Sequence, residues 1–464
     1  DDTIDEIKVT SSFIEGSLDK LKNQLHILDG SDIQNDASQS LGESIDNFLG
    51  VSSSDFGPAV GQPVIRGLSG ARVKILNNNY VVRDVSSLGA DHLNDIDLNN
   101  IEQIEIMRGP LSLLFSKGTS GGIINIVDNT IAKEDFSESV FNIGGEASSV
   151  NDGFGGNFSY QGNISGINLS VAYNKYDFEN YDVPDGAVME EEHHEDEDHD
   201  EEEHAEEGPI KFLENSDYRR ETKRFGISRA GSWGHFGFSY SDNDSLYGVP
   251  FHEEGEGHHG HEGEEHEEGE EHEEGEEHEE GEHEHHEDER IFSTTDNKAF
   301  TFEGRLNLNN ALISNVEYFF RNSDYSHIEQ HAEEEGEEHG EEHGEEEHEE
   351  EEPTLFSNES NEFGLRFSKN TDILNQKVVL NFIDEEITVV GEEAFVPPTE
   401  SKEITFGYYV DSNLDLFDVS FALRHDFLER KNESLNQEVD KGATSASLLF
   451  SSNVNDNLSF NVGL

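Results

Sequence analysis

Histidine and carboxylate are the side chains here with chemistry to offer, and they are gathered rather than scattered. Three windows, 190–207, 252–289 and 329–352, hold 18 of the 23 His (4, 10 and 4) and 49 of the 105 Asp and Glu (13, 21 and 15). The middle window repeats every six residues at Gly263, Gly269, Gly275 and Gly281. His266, His272 and His278 stand three residues after the first three of these glycines, and His252, His258, His259 and His261 precede them. Neutral imidazole is the commonest transition-metal ligand, and Zn²⁺ accepts both His nitrogen and carboxylate oxygen. With no Cys to join them, these donors suit a borderline divalent ion such as Zn²⁺, Cu²⁺ or Ni²⁺. Calcium needs only oxygen, so the histidines point away from it. Like charges this dense cannot build a core, and the windows are expected to be disordered without a ligand. The other reading is a solvating, repulsive fringe, which Glu and Asp alone would serve equally well.

The whole chain sets bounds on what such ligands could serve. Its 464 residues carry 29 basic and 105 acidic side chains, a formal charge of −76. That balance excludes nucleic acid as a partner, because polyphosphate would be repelled, and favours cations. No nucleophile–base constellation is visible, so no enzyme and no cofactor is expected. No run of 18 apolar residues exists, so no transmembrane helix is expected. A membrane β-barrel stays open, since its strands alternate and give weak hydropathy. The start, DDTIDEIKVT, carries no basic-plus-apolar signal segment, so an exported protein would be in its mature form.

The elements that must position the ligands read as strands from about Ser137 onward. Ile167, Leu169, Val171 and Tyr173 alternate with Asn168, Ser170, Ala172 and Asn174. Phe236, Phe238 and Tyr240 alternate with Gly237, Ser239 and Ser241, and Val419, Phe421 and Leu423 with Ser420, Ala422 and Arg424. Leu312, Val316, Tyr318 and Phe320 share a face opposite Asn315, Glu317 and Arg321. Period 2 with one apolar face means strands, and a small polar opposite face suits a barrel lumen. Twelve strands are expected, at 137–146, 152–162, 164–180, 218–230, 234–248, 291–308, 311–327, 354–369, 376–390, 402–412, 415–430 and 439–453. A thirteenth begins at Leu458. Many are too long for a soluble sandwich, whose strands usually run about five or six residues. Short turns alternate with mostly longer connections, and all three acidic windows fall in the second set. A meander with this parity puts its long loops on one side of the membrane.

Ahead of the strands, Ile104 and Ile106 lead into Arg108-Gly109-Pro110. A short apolar turn (Leu111, Leu113, Leu114, Phe115), a glycine cluster (Gly118, Gly121, Gly122) and a strand, Ile123–Val127, follow. Upstream lies PVIRGLSGARVKILNNN, Pro63–Asn79, and Leu41, Ile45, Phe48 and Leu49 share one helical face. In this order the pieces resemble the plug domain of TonB-dependent outer-membrane receptors over roughly residues 5–131. The resemblance implies an N-terminal α+β plug domain followed by an antiparallel transmembrane β-barrel. It divides the chain into 1–30 with a TonB box, a plug at 31–133 and barrel at 134–464, with acidic external loops near 181–217, 249–290 and 328–353. Asp5, Glu6, Ile7, Lys8, Val9 and Thr10 resemble the TonB box, the segment pulled by the energy-coupling protein. Arg66 and Arg108 match arginines that in the family hold the plug against barrel carboxylates. Because the sequence stops inside an apparent strand and such receptors close with about 22 strands, about ten strands are expected beyond it.

Ser86-Ser87-Leu88-Gly89-Ala90-Asp91-His92 resembles the "S-S-L-x-x-D-H" of the zinc-receptor branch, where the Asp-His pair binds zinc at the plug apex. That resemblance makes Asp91 and His92 the first-choice ligands, with the barrel completing the site. Leu246–Pro250 and Arg321–His327 are further family-like pieces, which brings His327 into the candidate set. Glu352, or equally Glu351, matches an expected barrel carboxylate; His425 follows a lipid-facing set and reads as structural. The resemblance implies a monomeric importer in the outer membrane of a Gram-negative bacterium, with TonB, lipid and the metal ion as partners. Zinc is the first expectation for the transported ion. Copper, nickel or a chelate such as a siderophore is the alternative cargo, and a surface metal buffer or adhesin is the alternative class.

Overall fold

The computed structural model describes residues 25–184 except 37 and 38, residue 187, residues 211–250, and residues 290–332 except 309 and 311. It also describes 353–464 except 372, 392, 393, 395, 415, 416, 433, 456 and 457. The N-terminal domain is a five-stranded sheet in the order β1-β6-β7-β4-β5, from β1 (Leu25–Asp29), β4 (Val73–Asn77), β5 (Tyr80–Val81), β6 (Gln103–Met107) and β7 (Gly122–Val127). Helices α1 (Gly30–Asp36) and α2 (Leu41–Ile45) and a hairpin of β2 (Val51–Asp55) and β3 (Gly61–Ile65) complete it. Leu41 and Ile45 of α2 are buried with Ile65, Ile104, Ile106, Ile124 and Ile126. Burial of such side chains stabilises by about 1.5–3 kcal/mol each. Asn78 and Asn79, both at positive φ, turn β4 into β5, a conformation that Asn tolerates better than most residues. The strand β1 falls inside the stretch 1–30 that reads as polar in sequence. It pairs along its length with β6, so among the described residues the domain's sheet starts at Leu25.

The rest is one 13-stranded antiparallel meander. Its first members are β8 (Val140–Ser148), β9 (Gly153–Ile164) and β10 (Ile167–Phe178). A separate two-stranded ribbon, β11 (Tyr181–Asp182) with β12 (Phe212–Leu213), follows. The meander resumes with β13 (Tyr218–Gly231), β14 (Gly234–Gly248), β15 (Arg290–Asn307), β16 (Asn315–Ala332) and β17 (Thr354–Asn370). It ends with β18 (Leu374–Val390), β19 (Thr399–Leu414), β20 (Phe417–Asn432), β21 (Gln437–Asn455) and β22 (Leu458–Gly463). Each strand pairs with its neighbours in chain order, so the expected connections and their parity are present. The burial is that of a lipid-facing barrel wall rather than a soluble sheet. Phe236, Phe238 and Tyr240 are exposed on the outer face, while Asn168, Ser170 and Asn174 are buried on the inner face. Gly237, on that inner face, has no room for a Cβ, which would sit 2.6 Å from Ile131 of the N-terminal domain.

The sheet wraps the N-terminal domain through apolar and ionic contacts. Leu111, Leu114 and Phe115 form one core with Val379, Tyr409 and Ala422 of the wall. Leu93 joins Tyr176, Phe178, Tyr218 and Tyr247. Between these patches lie ion pairs. Arg224 reaches Asp97 at 3.1 Å and Asp128 at 3.0 Å, Arg83 reaches Glu362 at 3.1 Å and Glu385 at 3.2 Å, and Lys117 pairs with Glu403.

Candidate metal centre

The segment 84–95 is a loop pushed out from the plug sheet towards β13–β17. Its course is fixed by side chains that collect backbone groups. Asp84 caps the turn at Val85–Ser87, accepting from Ser86 N at 3.2 Å and Ser86 Oγ at 2.5 Å. Near its end, Gln62 Nε2 donates to the carbonyl of His92 at 2.7 Å. Leu93 N donates to the Tyr247 hydroxyl at 3.3 Å, and Asn94 Nδ2 to the carbonyl of Gly61 at 3.2 Å. At Gly89 a Cβ would stand 2.3 Å from Asp91 Oδ1 and 3.2 Å from His92 Nε2. A side chain there would have to displace Asp91, whose carboxylate and the His92 ring both lie close to this backbone.

Across from this loop, β16 turns His327 and Glu329 inwards. Residues two apart share a strand face, and both are buried. Ligand atoms of His92, His327 and Glu329 lie within 4.8 Å of one another. His327 Nε2 is 4.0 Å from Glu329 Oε2, too far for a hydrogen bond. Both ring nitrogens of His327 are buried with no hydrogen-bond partner among the described residues. A buried polar group normally finds a partner, so an imidazole held this way marks a place where something else binds. Aromatic rings wall the space. Phe356 stands 5.6 Å from the His327 ring and 6.2 Å from the His92 ring, and Tyr247 stands 6.2 Å from His327. Burial lowers the pKa of His92, and the neighbouring His327 lowers it further against the pull of Asp91. The ring is therefore neutral near pH 7, as a metal ligand must be.

The fit to a metal is close. Bonds of about 2.0–2.2 Å to nitrogen and oxygen in a tetrahedron separate ligands by roughly 3.4 Å. A contraction of up to about 1.4 Å would close the observed set, whose atoms lie within 4.8 Å of one another. Two imidazoles and a carboxylate leave a fourth position, and Asp91 is at hand. The other cluster among the described residues, Asp242, Asp244 and Asp296, has no imidazole, and Lys298 pairs with Asp296 there.

Of the residues singled out in the sequence, His92 and His327 are brought together, with Asp91 beside them. Glu329 joins them from the first position of the third acidic window. The expected barrel carboxylate, Glu352, lies outside the described residues. So do His252, His258, His259, His261, His266, His272 and His278, and the Asp5–Thr10 segment. Neither Arg66 nor Arg108 meets a carboxylate of the described wall. Arg66 is exposed at φ 53. Arg108 is buried, and its Nε and Nη2 have no hydrogen-bond partner among the described residues. Instead Arg83 and Lys117 reach out from the plug, and Arg220, Arg224 and Arg424 reach in from the wall. His425 bonds through Nδ1 to Thr444 Oγ1 at 2.7 Å, away from the cluster on the outer face, as a structural residue would.

Comparison with known proteins agrees with this architecture. Residues 17–123 match the TonB-dependent receptor plug domain family. A probable TonB-dependent receptor of Bordetella pertussis, BfrD, is 31% identical over 109 residues, which is 24% of this chain and 12% of that protein. Among solved structures, copper transporter OprC superposes with a TM-score of 0.65 at 12% identity over 95% of this chain and 63% of the other. The FrpB iron transporter from Neisseria meningitidis gives 0.63 at 11% identity over 95% and 64%. The ferric enterobactin receptor PfeA gives 0.60 at 10% identity over 96% and 62%. The chain thus spans less than two thirds of these structures, and at such identities the likeness is one of fold. The N-terminal domain is a TonB-dependent receptor plug, and the meander around it is barrel wall of the same fold. The protein is located in the outer membrane of Gram-negative bacteria.

Proposed function

We propose that this chain works in a TonB-dependent importer of a bare divalent transition-metal ion, zinc first. The observation that carries this is the meeting of His92 from the plug with His327 and Glu329 from the wall, ligand atoms within 4.8 Å. Two imidazoles with carboxylate suit Zn²⁺. Two imidazoles and a carboxylate gathered within 4.8 Å suit a single ion, which favours an ion over a siderophore. The His- and Glu-rich windows would collect ions outside, and the plug site would select one. Energy coupling through Asp5–Thr10 and TonB completes the proposal. A second reading, Cu²⁺, shares the donor set, and a structural neighbour is titled a copper transporter.

The test is metal content of the full-length protein purified with equal zinc, copper and nickel in competition. One tightly held zinc per protein, lost in His92→Ala, is the expected outcome. Copper in its place would establish the second reading, and no bound ion would overturn both. Deleting residues 4–10 should abolish uptake and spare binding. Uptake that survives the deletion would favour a passive buffer or pore.

A further inference from the structure

The metal-bearing loop is held more elaborately than a polar surface loop requires. Asp84 uses its two oxygens on opposite stems. Oδ1 takes Ser86 at the start of the loop, and Oδ2 takes Asp95 N at its end, 2.9 Å away. Asp95 then turns its own carboxylate to the wall. Asn297 Nδ2 donates to Oδ2 at 2.7 Å, Asn243 Nδ2 donates to Oδ1, and Arg220 Nη2 stands 3.4 Å from Oδ1. These partners come from β13, β14 and β15, and the ligands His327 and Glu329 come from the next strand, β16. The loop therefore meets four consecutive strands. Asp84 is half-buried and Asp95 is buried, and neither belongs to the cluster of ligand atoms.

We propose that Asp84 and Asp95 are positioning residues of the metal centre, holding the His92 loop at a fixed distance from β16. This rests on the metal-site reading above. The chemistry needs aspartate at 95. Above about pH 7, where the carboxylate is ionised, three donors converge on it, and an amide would offer one acceptor oxygen and turn its NH₂ against another donor. Such outer partners orient a ligand so that it spends no free energy on reaching its geometry, and their loss typically costs about 10–100-fold in metal affinity.

The test uses full-length protein loaded with Co²⁺, whose visible absorption reports ligand number and symmetry. Asp95→Asn should lower Co²⁺ and Zn²⁺ affinity by about 10–100-fold and alter the Co²⁺ spectrum, with His92 and His327 intact. The exchange Asp95→Asn with Asn297→Asp restores a donor–acceptor pair and should recover part of both. Asp84→Asn leaves every wall contact in place and should shift the spectrum in the same sense, even if the Asp95 variant does not assemble. Parent-like spectra and affinities in Asp84→Asn and Asp95→Asn would overturn the positioning role. If His92→Ala itself bound metal like the parent, the metal-site reading would fail first.

Discussion

The seam between plug and wall is built in two ways, at its apex and at its waist. At the waist, buried charges meet opposite charges. Arg224 lies between Asp97 and Asp128, Arg83 between Glu362 and Glu385, and Lys117 pairs with Glu403. At the apex, three metal-type donors converge within 4.8 Å, and the fully buried His327 makes no hydrogen bond among the described residues. Opposite charges in contact lock a surface, whereas converging metal-type donors suit a ligand. Charge alone separates the two poorly, since carboxylates occur in both.

The contrast breaks most visibly if the waist is damaged. Arg224→Ala leaves Asp97 and Asp128 buried without their cation, an injury worth about 3–5 kcal/mol. The plug should become sensitive to protease and melt earlier, while zinc affinity in the assembled fraction stays within a few-fold of the parent. A waist that also set metal affinity would show a loss as large as that of a ligand variant.

His327→Ala is the complementary injury. Removing a ligand should weaken tight zinc binding by more than 100-fold, equivalent to more than about 2.7 kcal/mol. The metal-free protein should lose only the packing of the removed ring, because that ring makes no hydrogen bond among the described residues. Competition against a chelator and a thermal melt read the two quantities separately. Equal damage to both would mean that His327 is ordinary core.

Protons sharpen the comparison more gently. Burial pushes Asp95 up to about 7 against the pull of Arg220, and pushes Glu102 to about 7 against Lys133. Asp128 goes the other way: burial raises it, but Arg224 and hydrogen bonds from Thr130 carry it below its usual value. A group that keeps its proton to about pH 7 when folded, and to about 4 when unfolded, makes the folded state bind more protons in between. Asp95 and Glu102 therefore stabilise the plug as pH falls from 7.5 towards 5, by on the order of 1 kcal/mol per pH unit each. Asp128 contributes its share throughout that window and loses it only below the ordinary carboxylate range. Melts of metal-free protein should rise on mild acidification, with a shallower slope in Asp95→Asn. A flat profile in both proteins would refute the assignment.

The smallest effect is expected from the largest change in sequence. Deleting 252–289 removes ten His and 21 acidic residues, yet it should leave tight zinc affinity at the apex unchanged and slow capture only at low zinc. Titration at fixed protein concentration would show the loss of weak events alone. Tight binding that vanished with the loop would put the selective site there.

Much of this was legible in sequence because barrel strands write two faces in alternation. The expected strands at 218–230, 234–248 and 354–369 fall within a residue of the observed ends. The failures have physical causes. The expected end of β16 was 327, but pairing of Arg290 through Asn307 with β16 carries the strand to Ala332. Long-range pairing overrode a local composition that reads as loop, and Glu329 was hidden among the carboxylates of the acidic window. Its spacing of two from His327 was the signal that could have found it. Leu25–Asp29 was too short to announce itself, since an edge strand is defined by its partner β6. Arg83 and Lys117 escaped notice because nothing local distinguishes a cation that will meet a distant carboxylate from one that will meet water.

One consequence follows from the ligands being shared between two bodies. In the proposed importer, an ion gripped by His92 on one side and by His327 and Glu329 on the other would be cargo and rivet at once. While it is seated, it fastens the movable piece to the fixed one. A displacement of the loop by little more than a bond length tears the coordination set apart, since zinc bonds are only about 2 Å long. Release then needs no competing chelator and no change of oxidation state. On that proposal, pulling the plug and letting go of the ion would be the same mechanical act.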